Sequence, residues 1–192
     1  MSGSFPERIK EVIMALYNFS LTLSGVTSQT PGLEDALYAS GCDDGLICFY
    51  GKAVYVEFDR ASDSFANAIL GAIKNIESAG LGAQVMAVDS HLVGLSDIAA
   101  LAGMSRQAIA MLKDGTRGSG DFPSPIQRLK GSSPLWRWHS VADWLASKGK
   151  IGQALAENAQ YLENINLALQ LRASNQRSQI DSYVTLLEHG EN

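Results

Sequence analysis

Cysteine and histidine are scarce in this sequence, with two and three copies in 192 residues. Such scattered residues provide no metal-ligand cluster. Cys42 and Cys48 read as small hydrophobes of a reducing compartment rather than as a disulfide, since nothing suggests secretion. No apolar run reaches the about 20 residues that a membrane helix requires. At the N-terminus, charges interrupt the apolar residues of MSGSFPERIKEVI, unlike those of a signal peptide. A Ser-His-Asp order, a phosphate loop and a Gly-rich dinucleotide fingerprint are also missing. Asp43 and Asp44 fall in a turn, and Asp59 and Asp63 follow a strand end. These acids, with Glu57, read as solvated rather than as a carboxylate pair. The expectation is a cytoplasmic protein without membrane segment, metal, cofactor or catalytic residue.

What is present is enough apolar sequence for a core, 46% of the chain, and a net charge of −5 that is unevenly spread. Residues 14–90 carry net −6, residues 91–150 carry net +4, and residues 151–192 carry net −3. A basic module between acidic ones can face nucleic acid although the total is negative.

The acidic N-terminal part alternates between strand and helix patterns. LYNFSLTLSGV (16–26) reads as a strand and LEDALYASG (33–41) as a short helix ending at Gly41. Two β-rich runs in GLICFYGKAVYVEFD (45–59) flank a Gly51-Lys52 hairpin turn. Ser64 caps FANAILGAIKNIESAG, with Phe65, Ile69, Ile73 and Ile76 at helical spacing, and AQVMAVD (83–89) closes as a strand. The order β-α-β-β-α-β predicts a ferredoxin-like domain over 14–90, an antiparallel four-stranded sheet with two helices on one face. Such a domain can bind a small-molecule effector or a protein partner, or serve as scaffold. Residues 1–13 read as a leader.

In LSDIAALAGMSRQAIAMLKDG (95–115), Ser96 is an N-cap candidate and Ile98, Ala99 and Ala102 share one face. Gly103 suits a sharp turn at positive φ. Ser105 caps a second helix whose Ile109 and Leu112 point back at the first. An αα-corner of a core and a helix-turn-helix both fit this pattern. A turn-rich link follows, then the hairpin PIQRL and PLWRW around Gly131-Ser132-Ser133, then a third helix, SVADWLASKG.

Taken in this order, the helix-turn-helix, DFPSP and LWRWHSVADWL resemble the winged helix-turn-helix of the excisionase, AlpA-type and MerR-like families. The resemblance spans residues 93–148 and rests partly on Trp136, Arg137, Val141 and Trp144. It departs in the longer link KDGTRGSGDF. It implies binding of double-stranded DNA through the major groove, with the helix that starts at Ser105 as reader.

On that helix Arg106, Gln107, Ala110 and Met111 face outward. Arg is suited to guanine O6 and N7, Gln to adenine N6 and N7, and Met to a thymine methyl. Ser105, Lys113, Arg117, Arg128, Lys130 and Arg137 are the candidates for backbone phosphates. Trp136, Trp138 and Trp144 read as a hydrophobic seam.

The tail, 150–192, is helix-forming, with a break near Ala173-Ser174-Asn175. Leu155, Leu162, Ile165 and Leu169 form an apolar stripe that either packs on its own chain or makes a dimer seam. The expectation is the second, in a homodimeric sequence-specific regulator of α+β architecture. An excisionase-like factor that bends DNA, or a sensor or adaptor built on residues 14–90, is the alternative.

Overall fold

The computed structural model describes residues 13–190, so the leader 1–13 lies almost wholly outside the described residues. The chain is a mixed α+β protein. Its first half runs β1 (Ala15–Ser24), α1 (Leu33–Ala39), β2 (Gly45–Tyr50), β3 (Ala53–Ser62), α2 (Phe65–Glu77) and β4 (Gln84–Asp89). These four strands form an antiparallel sheet in the order β2-β3-β1-β4. The hairpin closes at Tyr50 opposite Ala53, and Gly51 takes φ 61° in the turn. Both features were legible in the sequence.

Alternation decides the layers. Phe19, Leu21 and Leu23 of β1 and Val54, Val56 and Phe58 of β3 are buried, together with Leu33 and Leu37 of α1 and Phe65, Ala68, Ile69, Ala72 and Ile76 of α2. Ser64 caps α2 by accepting from the Asn67 N–H at 3.2 Å. Phe19 stacks on Phe58 with ring centroids 5.3 Å apart.

The second half runs β5 (Leu92–Val93), α3 (Leu95–Leu101), α4 (Arg106–Lys113), β6 (Trp136–Arg137), α5 (Trp138–Ser147), α6 (Gln153–Ala173) and α7 (Arg177–His189). β5 and β6 pair antiparallel, and their continuation is a single bridge between Gln127 and Leu135. The expected hairpin is therefore shorter than its sequence suggested. Pro125 and Pro134 lack the N–H a longer ladder needs, and Arg128 adopts φ 56°.

α6 ties the halves together. It packs along α5 and against β4, and its Leu162 and Leu169 are buried in the same core as the sheet. The Asn166 amide occupies the β4 edge like a strand partner. Its Oδ1 accepts from the Val88 N–H at 2.9 Å, and its Nδ2 donates to the Val88 carbonyl at 2.8 Å. Further along, Arg172 donates to the Val85 carbonyl at 2.8 Å, and Glu77 accepts from the Val85 N–H at 3.1 Å.

The expectation that Leu155, Leu162, Ile165 and Leu169 form a dimer seam is thereby corrected. Leu162 and Leu169 are spent on the chain's own core, and Leu155 and Ile165 pack half-buried against it. The break after Ala173 is as expected. Beyond it α7 buries no residue, and Tyr183, Val184, Leu186 and Leu187 are exposed. No helix among the described residues is long and apolar enough to cross a membrane.

Candidate nucleic-acid interface

α3 and α4 meet across a turn whose Gly103 has φ 62°. Ile98 and Ala99 of α3 face Ile109 and Leu112 of α4, and all four are buried. The small side chain of Ala99 permits the close crossing. α3 begins two residues earlier than expected. Its N-cap is Gly94, whose N–H donates to the Asp97 carboxylate at 2.8 Å, while Ser96 lies exposed within the first turn.

α4 starts as the sequence indicates. The Ser105 hydroxyl accepts from the Ala108 N–H at 3.1 Å. The N–H groups of the next two residues lack intrahelical partners, and the helix dipole adds partial positive charge there. Inward Ile109 and Leu112 turn Arg106 and Gln107 into solvent, with Met111 at the edge of exposure and Ala110 half-buried beside them. Residues 106, 107, 110 and 111 therefore share one outward surface, the spacing that a helix laid in a groove presents.

The turn-rich segment 128–133 lies beside the start of α4. Arg128, Leu129 and Lys130 are exposed in it, and the Gly131 N–H closes a turn onto the Arg128 carbonyl at 3.1 Å. Arg106 and Arg128 line one cleft of about 300 Å³, together with Ser96, Asp97, Ser132 and Ser133. Sequence reasoning used Ser132 and Ser133 only as turn residues. Their place beside two guanidinium groups makes them hydroxyl donors of the same surface. A Ser-rich turn between basic residues was the available signal.

The charges sort themselves by partner. Among the described residues, Arg106, Arg117, Arg128 and Lys130 make no ion pair. Lys113 pairs with the adjacent Asp114 at the end of α4. Arg137 departs from the expected phosphate role. Its guanidinium donates to Glu163 of α6 at 2.9 Å, and it lines a cleft with Leu167 and Gln170 of α6 and with Ile126 and Gln127. Five of the six phosphate candidates remain on or near the α4 and wing surface, and Arg137 belongs to the seam with α6.

The long link 114–125 is held down by the tryptophans. Trp136 Nε1 donates to the Pro123 carbonyl at 2.9 Å, and Trp144 Nε1 donates to Asp121 at 3.0 Å. Phe122 sits edge-on to Trp144 with centroids 5.1 Å apart. Hydrogen bonds from Ser119, Lys148 and Trp144 hold the Asp121 carboxyl well below the usual carboxylate range. Trp136 and Trp138 are fully buried, so neither is a platform for base stacking.

No grouping of His, Cys, Asp and Glu that could hold a metal occurs among the described residues. The acids Glu57, Asp59 and Asp89 line a groove on the sheet beside Leu101, at the C-terminal end of α3, and Asp59 accepts from the Asn18 side chain. No protein-family model matches the chain, and no curated protein or solved structure matches it.

Proposed function

We propose that the chain is a sequence-specific DNA-binding regulator, built from a ferredoxin-like sheet domain and a winged helix-turn-helix joined by α6. In this reading α4 enters the major groove. Arg106 and Gln107 lie in its first turn and read base edges, Ala110 and Met111 line the same face, and Arg128 and Lys130 grip the flanking backbone. The observation that carries it is the convergence of Arg106 and Arg128, both without ion-pair partners among the described residues, on one cleft beside the start of α4. An anion entering this cleft would meet both guanidinium groups, and a phosphate is such an anion, while Asp97 on the same cleft accepts from the Gly94 N–H. The acids on the sheet repel the duplex and favour an approach from the wing side.

One observation favours a second reading, an architectural factor that bends DNA. Leu129 is two-thirds exposed at the wing tip between Arg128 and Lys130. An apolar wedge flanked by cations suits insertion between base steps in the minor groove.

Selection of bound duplexes from a random library by the purified full chain tests the proposal. An enriched motif is the expected result. Recovery of unselected sequence would overturn base-specific reading, and absence of retained DNA would overturn binding.

A further inference from the structure

The sheet has two edges, and the protein treats them differently. The β4 edge is covered by α6, with Asn166 and Arg172 satisfying its backbone groups. The β2 edge, GLICFY, is uncovered. It carries no charge and no proline, and its Leu46, Phe49 and Tyr50 are exposed, Tyr50 at 84%. Open edges are ordinarily blunted by lysine, proline, bulges or very short strands, since unpaired backbone groups invite another strand. β2 is six residues long and has no lysine, no proline and no bulge.

We propose that β2 pairs antiparallel with β2 of a second copy of this chain, around a two-fold axis beside Cys48, so that the two sheets become one. The register follows from the hydrogen bonding. The Asp59 N–H donates to the Asp44 carbonyl, and Tyr50 faces Ala53 at the hairpin turn. Alternation then directs the backbone groups of Leu46, Cys48 and Tyr50 toward β3 and those of Ile47 and Phe49 outward. Self-pairing sets Ile47 of one copy against Phe49 of the other, exchanging both backbone bonds, with Cys48 opposite Cys48.

In the same register Leu46 faces Tyr50 of the second copy, apolar against aromatic on the open side of the sheet. At the strand ends Lys52 comes beside the exposed Asp43 of the second copy, while Asp44 stays with its own Arg60. This charge complementarity repeats at both ends by symmetry and is what selects a second copy as the occupant. Glu34 and Asp35 of α1 line the adjoining cleft with Ile47. Both are exposed on its rim, where salt screens them. The pairing stands independently of the DNA reading. A short strand buries little area, so the dimer dissociates on dilution.

The test uses the purified full chain, light scattering for mass and diamide as oxidant. Diamide takes two hydrogens from two thiols and leaves one disulfide. Cys48 opposite Cys48 is a non-hydrogen-bonded pair with Cα atoms about 4.5 Å apart, inside the range of about 4.4–6.8 Å that a disulfide spans. The wild type and Cys42→Ser should give a covalent dimer on a non-reducing gel, and Cys48→Ser should not, since Cys42 is buried.

Leu46→Lys with Tyr50→Lys faces lysine with lysine across the axis. It should give a monomer and abolish the cross-link while leaving circular dichroism unchanged. Leu46→Glu with Tyr50→Lys faces opposite charges and should restore both mass and cross-link. A wild type that is monomeric at its highest soluble concentration would overturn the proposal. So would a dimer or cross-link that survives the double-lysine change, which would move the contact to a surface such as α7.

Discussion

The basic module and the acidic sheet differ in how they spend their charges. In the sheet half, Arg60 is half-buried and held by Asp44 at 2.7 Å, with a further bond to the Gly41 carbonyl. Around α4, Arg106, Arg117, Arg128 and Lys130 project outward and make no such pairs among the described residues, and Lys113 pairs only with its chain neighbour Asp114. A charge satisfied at home stabilises a fold or at least fixes a loop. A set of like charges gathered without partners raises the energy of the free protein slightly and finds its compensation in a ligand of the opposite sign. The contrast lies in neighbours rather than in residue type, since Arg60 and Arg106 are chemically the same.

The two regions are nevertheless one folding unit if α6 binds them as its contacts indicate. Leu162→Ala removes a buried side chain at that seam and should cost about 2–5 kcal/mol. Chemical denaturation followed by both tryptophan fluorescence and far-ultraviolet dichroism should show one shifted transition. Two separated transitions in the wild type would show that the basic and acidic halves fold independently. Leu162→Glu with Ile165→Glu, which a dimer seam would tolerate as a folded monomer, should abolish folding.

A smaller effect concerns the start of α4. Ser105→Ala removes the cap of α4 and should lower stability by about 0.5–2 kcal/mol. Thermal melting reads this directly, and Ser64→Ala in α2 is the matching change in the sheet half. Similar losses at the two caps would place the distinction between the regions in charge alone.

The smallest effect is that of pH on the link beneath the wing. The Asp121 carboxyl titrates below its ordinary value because Ser119, Lys148 and Trp144 donate to it. A carboxyl whose folded value is depressed contributes stability above the unfolded value of about 3.9, and loses it as pH falls through the folded value. Asp121→Asn should therefore flatten the acid limb of the stability curve. Because this carboxyl is exposed, the change should be slight. An unaltered curve would show that the link is held by Trp136 and Phe122 packing instead.

Local signals in the sequence were transparent. The Gly51-Lys52 turn, the Ser64 and Ser105 caps and the positive φ of Gly103 each depend on a few adjacent residues, and each stands where the spacing put it. Long-range pairings were not. The α6 stripe showed that Leu162 and Leu169 wanted cover, but periodicity is blind to what provides it. Arg137 looked like the other wing cations because its partner, Glu163, lies 26 residues away in sequence. β5 escaped notice because Leu92–Val93 is too short to alternate. Ser96 resembled a cap because Gly94 has no side chain to advertise the role, and the Asp97 carboxylate only reaches back to the Gly94 N–H.

The most direct measurement of base reading by α4 compares two affinities, one for the selected duplex and one for a scrambled duplex of equal length, at fixed salt. Arg106→Ala and Gln107→Ala should each weaken binding to the selected duplex by about 1–3 kcal/mol and leave the scrambled duplex nearly unchanged. Equal weakening on both duplexes would reduce Arg106 to a backbone contact, and no weakening on either would remove α4 from the interface.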